Sequence, residues 1–124
     1  MLDLVKKVFK EWKEFSQIKE DFIVKGRSMA LFGLPETLKG LMLSLLIEEL
    51  NNTTVIVTNS MIKAKQLCEE LTTYLGDHIY FLPDREVSYH KVSARSTEII
   101  AERIKVLELF ANGDKNAVVI GSIE

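Results

Sequence analysis

The sequence predicts an α/β fold: a parallel sheet of about four strands with flanking helices. Two observations predict it. Val55-Ile56-Val57 and Val118-Val119-Ile120 are short apolar runs with no polar residue inside them, the pattern of strands buried on both faces. The stretches between such runs carry apolar residues at three- and four-residue steps, so strands alternate with helices, and that alternation builds a parallel sheet. With 124 residues, 47% of them hydrophobic, the chain is the size of one domain with one core.

The elements follow in order. Residues 1–20 form an N-terminal amphipathic helix in which Leu2, Val5, Val8, Phe9, Trp12 and Phe15 make the apolar stripe, with lysines and glutamates between. Its charges are mixed, so docking onto its own domain is favoured over a membrane surface. Residues 21–124 form the α/β domain. Ser28 to Phe32 reads as the first strand, and Thr37 to Leu50 as a helix apolar on nearly every side, which must be covered on most faces. Thr53 to Thr58 is the second strand. Met61, Ala64, Leu67, Cys68, Leu71 and Leu75 stripe the next helix, ended by Gly76-Asp77. His78 to Leu82 is the third strand, stopped by Pro83, and a polar loop runs to Ser96. A helix from about Thr97 to Ala111, closed by Asn112-Gly113, leads to the fourth strand, Ala117 to Ile120. No crossover helix follows it, so Glu124 reads as a cut end, and the uncovered sheet predicts self-association or use of the N-terminal helix as a lid.

The segment that carries most functional information is Leu31-Phe32-Gly33-Leu34-Pro35-Glu36-Thr37-Leu38-Lys39-Gly40. A phosphate-binding loop reads G-x-x-x-x-G-K-[ST], with backbone N–H groups cradling phosphates, a lysine for the outer phosphates and a hydroxyl for magnesium. Gly33 and Lys39 keep the spacing. Leu38 replaces the second glycine, Gly40 replaces the hydroxyl, and Pro35 removes an N–H. Glu36 falls in the first turn of the helix, where a phosphate would sit; at about 5 Å and an effective dielectric of about 20 it repels each phosphate charge by roughly 3 kcal/mol. The loop is a vestige, with Gly33 and Lys39 its remnants, and no cofactor is expected on this chain. The plainer reading of the same residues is an ordinary strand-to-helix turn with a favourable N-terminal charge.

Composition narrows the classes further. A net charge of −2 gives no basic field for sequence-independent nucleic-acid binding. Cys68 is the only cysteine, which excludes an internal disulfide and fits a cytoplasmic setting; no secretory signal or membrane span is present. His78 and His90 lack cysteine partners for a metal site, and no G-x-S-x-G elbow exists for nucleophilic catalysis. Glu98, Glu102 and Arg103 read as a solvated or locally paired helix face.

Three stretches together resemble the N-terminal segment of the transcription-repair coupling factors (Mfd), whose first domain is similar to that of UvrB. They are the vestigial loop with its apolar helix; Val55-Ile56-Val57-Thr58 with the helix ending Leu71-Thr72-Thr73-Tyr74-Leu75-Gly76-Asp77; and Phe81-Leu82-Pro83-Asp84-Arg85-Glu86-Val87-Ser88-Tyr89 followed by Ser96-Thr97-Glu98-Ile99-Ile100-Ala101-Glu102-Arg103-Ile104. Arg85 stands where the family has tryptophan, and Ser93-Ala94-Arg95 lacks a proline. The resemblance spans about Asp21 to Ile123. It implies a degenerate P-loop NTPase (RecA-like) sheet and a non-catalytic scaffold within a large ATP-driven DNA translocase that displaces RNA polymerase stalled at lesions and recruits UvrA for nucleotide excision repair. RNA polymerase, UvrA and DNA are then partners of the full-length protein, ATP and magnesium belong to its motor domains, and the UvrA-contacting module lies beyond Glu124. UvrB grips DNA with a tyrosine-rich hairpin; the equivalent loop here offers Tyr80 and Tyr89, with Arg85, Lys91 and Arg95. Two other readings stay open: an active P-loop nucleotide-binding enzyme fragment, and an unrelated α/β interaction domain.

Overall fold

A computed structural model describes residues 2–83, 94–113 and 116–123. The chain divides into two compact units, Met1–Asn51 and Asn52–Glu124.

The first unit is helical. Helix α1 (Leu2–Lys10) and helix α2 (Lys13–Lys19) replace the single amphipathic helix expected from the stripe. The break falls at Trp12, whose backbone is extended (φ −68°, ψ 131°). An aromatic corner accompanies it: Phe9 meets Trp12 edge-on at 5.4 Å and Phe15 at 5.8 Å. Phe15 is buried, whereas Leu4, Val5 and Val8 are exposed. The helix therefore does not dock by its apolar stripe. Its lysines meet the next helix instead, Lys6 pairing with Glu48 at 2.8 Å and Lys10 at 3.7 Å.

A π-helical turn, Glu20–Val24, continues α2. Asp21 anchors it, accepting a hydrogen bond from Gln17 at 3.1 Å and facing Lys25 and Arg27 at 3.8 and 3.9 Å. Ser28 to Phe32, expected to be the first strand, is irregular and exposed. Five apolar residues are a strand only when a neighbouring strand takes their N–H and C=O groups, and no ladder forms here. Helix α3 (Glu36–Leu50) then runs with Gly40, Leu41, Met42, Ser44, Leu45 and Leu46 all buried, consistent with its all-round apolar sequence. Asn51, in the left-handed region at φ 49°, ends it.

The second unit holds the sheet: β1 (Thr54–Thr58), helix α4 (Met61–Leu75), β2 (Ile79–Phe81), helix α5 (Ala94–Ala111) and β3 (Val118–Ser122). Three parallel strands lie in the order β1-β3-β2. The sheet is thus α/β and parallel as expected, with three described strands where about four were read. β3 is central, and Val118, Val119 and Ile120 are buried in succession, which explains why its sequence is apolar without alternation. Ser60 starts α4 by accepting from the Lys63 N–H at 3.2 Å, and Gly76 (φ 87°) stops it. Lys65 lies 5.7 Å from the Phe81 ring centroid, so α4 covers the Ile79 and Phe81 face. Helix α5 meets the end of β2 through Arg103, which donates to the Pro83 carbonyl. Helix α5 begins at Ala94, three residues before the expected Thr97.

Candidate functional site

The Gly33 to Gly40 loop belongs to the first unit. Pro35 is extended (φ −60°, ψ 145°) and stands at the helix start with no side-chain cap, so α3 begins at Glu36, where Pro35 has left the chain helix-ready. The Leu38 N–H is spent on the Pro35 carbonyl at 3.0 Å. Gly33 uses its freedom, with φ +79° and open space where a Cβ would stand. Phe32 beside it is 93% exposed.

Lys39 points back along its own helix, its ammonium 2.7 Å from Glu36 Oε1. The remnant cation is thereby matched with the carboxylate that the sequence had placed against phosphate. Glu36 is 81% exposed on its side chain, which lowers its repulsion of a phosphate charge toward about 1 kcal/mol. Leu38 is half-buried and Gly40 is buried, so neither position turns a polar group toward a phosphate.

What the loop does line is an open groove of about 400 Å³, walled by Trp12, Ile18, Leu31, Leu34, Pro35 and Met42, with Glu14 and Gln17 as its polar members. Anion binding needs convergent N–H donors or cations, and this groove offers apolar walls and one carboxylate.

In the second unit the structure brings together two parts of the third family-like stretch. Arg103, from the Glu-Arg pair of α5, donates from Nη1 to the Pro83 carbonyl at 2.7 Å. Pro83 is buried and Arg103 half-buried, so this side chain is a tether between the end of β2 and α5, not the solvated charge expected from its spacing. The proline and the arginine were both visible in the sequence, but a twenty-residue separation gave no cue that they meet. Glu98 and Glu102 remain exposed. Tyr80 is half-buried in β2, while Arg85, Tyr89, His90 and Lys91 lie outside the described residues; Arg95 falls within α5. His78 is exposed, its carbonyl accepting from the Val118 N–H at 2.9 Å. Among the described residues no three His, Cys, Asp or Glu side chains gather as a metal site, and no helix is long and apolar enough to cross a membrane. Burial, and then the neighbouring Glu69 charge, push the Cys68 thiol up to about 11.

The chain is similar to the transcription-repair-coupling factor of Bacillus subtilis (strain 168), with 25% identity over 119 residues, 95% of this chain and 10% of that protein. The likeness supports a distant relation along nearly the whole chain. No family profile matches the sequence, and no solved structure matches the fold. The chain spans 10% of the length of the curated relative it matches.

Proposed function

We propose that this chain is a non-catalytic scaffold segment of a transcription-repair coupling factor, similar to its UvrB-like first domain, in a cytoplasmic protein. The observation that carries the reading is the phosphate loop in its folded form: Lys39 pairs with Glu36 at 2.7 Å beside an apolar groove, in a chain that matches a transcription-repair-coupling factor over 95% of its length. The full-length protein would use ATP and magnesium in motor domains elsewhere to displace stalled RNA polymerase from DNA and would recruit UvrA. This segment would supply packing surface to that assembly and no nucleotide chemistry. A parallel sheet with a degenerate P-loop NTPase ancestry is the fold this reading entails.

Titration calorimetry of the chain with Mg-ATP tests the first half: heat no greater than dilution is expected, and a micromolar site abolished by Lys39→Ala would replace this reading with an active nucleotide-binding enzyme. A chimera tests the second half. Replacing the matching segment of the Bacillus protein with this chain, with and without Lys39→Ala, is expected to preserve release of stalled polymerase equally in both. A folded chimera that no longer releases polymerase would remove the scaffold role.

A further inference from the structure

We propose that two copies of this chain join through their β1 strands, paired antiparallel about Ile56 into one continuous six-stranded sheet. In the ladder between β1 and β3 the Thr54 N–H donates to the Ala117 carbonyl at 3.0 Å, and the Thr58 carbonyl accepts from the Ile123 N–H at 3.1 Å. With Thr54 opposite Val118 and Thr58 opposite Ser122, the parallel pattern turns the backbone groups of Thr54, Ile56 and Thr58 toward β3. Those of Val55 and Val57 point the other way, to the outer edge of the sheet, where no strand pairs among the described residues.

The strand's own sequence has none of the devices that discourage pairing. β1 carries no charge, proline or bulge, and its Val55 and Val57 side chains are 59% and 60% exposed. The occupant is chosen by the sequence of the strand, because Thr54-Val55-Ile56-Val57-Thr58 reads the same in both directions. A two-fold axis through Ile56 therefore sets Val55 opposite Val57 of the other copy, and Thr54 opposite Thr58. The outward backbone groups then fall in register. Each Val55–Val57 pair can exchange both of its N–H···O bonds, two pairs give four bonds, and Ile56 meets its own copy at the intervening non-bonded position, as antiparallel ladders require. A strand of unrelated sequence would satisfy the backbone equally but would not match side chains across the axis.

One strand pair covers well under the roughly 1,200 Å² of a standard interface, so association is weak and belongs to high concentration. Sedimentation velocity and light scattering up to about 0.5 mM are expected to show a monomer giving way to a dimer. Val57→Pro removes an outward N–H without touching the β3 ladder, and Val57→Lys places a charge on the exposed side chain; both are expected to remain monomeric with unchanged circular dichroism. The register is read by cross-linking in a Cys68→Ala background: mild oxidation is expected to link Val55→Cys to Val57→Cys when the two are mixed, and to link neither variant to itself. A monomer throughout the concentration range overturns the proposal. So does a dimer that survives Val57→Pro, which would point to another surface such as Ile100, Ile104 and Leu107 on α5, or a disulfide formed by Val55→Cys alone.

Discussion

Lys39 pairs with Glu36 three residues before it, and an exposed ion pair of that kind is worth only about 0.2–1 kcal/mol, so Glu36 does not lock the lysine away. The departures from the phosphate-loop pattern at Leu38, Gly40 and Pro35 are legible in the sequence. The groove beside the loop was not legible, because its walls come from Trp12 and Ile18 as well as from the loop, and sequence spacing does not reveal which distant residues will share a cavity. Cys68 offers a prediction at this scale. Its pKa of about 11 against an ordinary 9.0 lowers the thiolate fraction near neutrality by about a hundredfold. Labelling by a disulfide reagent at pH 8 is expected to slow by about two orders of magnitude relative to the unfolded chain. Because the folded pKa is the higher one, the stability gained from the neutral thiol is complete below pH 9.0 and is lost as pH climbs through about 11. Equal labelling rates in folded and unfolded chains would contradict this burial.

At the scale of elements, the sequence was most reliable where one strand or helix accounts for its own pattern. α4 has its stripe and its Gly76 stop, and β3 has its unbroken apolar run; each was readable locally. The reading erred where a partner decides. Ser28 to Phe32 has strand composition but gains no neighbour, and of the apolar stripe of α1 Val5 and Val8 stay exposed while Lys6 and Lys10 reach Glu48 and the chain bends at Trp12. The Arg103 tether is the testable case. Arg103→Ala leaves the Pro83 carbonyl without its 2.7 Å donor at a buried position, a loss of about 1–3 kcal/mol. Urea denaturation should show that loss, partly restored in Arg103→Lys, while Glu102→Ala on the exposed side of the same helix stays within about 0.5 kcal/mol of the parent. Indistinguishable midpoints for Arg103→Ala and Glu102→Ala would mean the tether contributes nothing.

For the whole molecule, the two compact units set separate expectations. In the first, α1 packs on α3, and Phe15 is 1% exposed. A chain starting at Gln17 loses that ring together with the Lys6 and Lys10 pairs to Glu48. Removing a buried phenylalanine typically costs about 3–5 kcal/mol, a large part of a small domain's stability, so light scattering is expected to show lower solubility for the shortened chain. Equal solubility and equal thermal midpoints would show that the first sixteen residues are dispensable. In the second unit the strand order has a consequence in time. β3 sits between β1 and β2 yet is the last of the three to be made, so neither earlier strand has a partner when it leaves the ribosome. About sixty residues separate the end of β1 from the start of β3, several seconds of synthesis at roughly 5–20 residues per second. Throughout that interval the Val55-Ile56-Val57 segment is apolar and without the partner its ladder needs, and the sheet can close only after Val118 to Ser122 has been made.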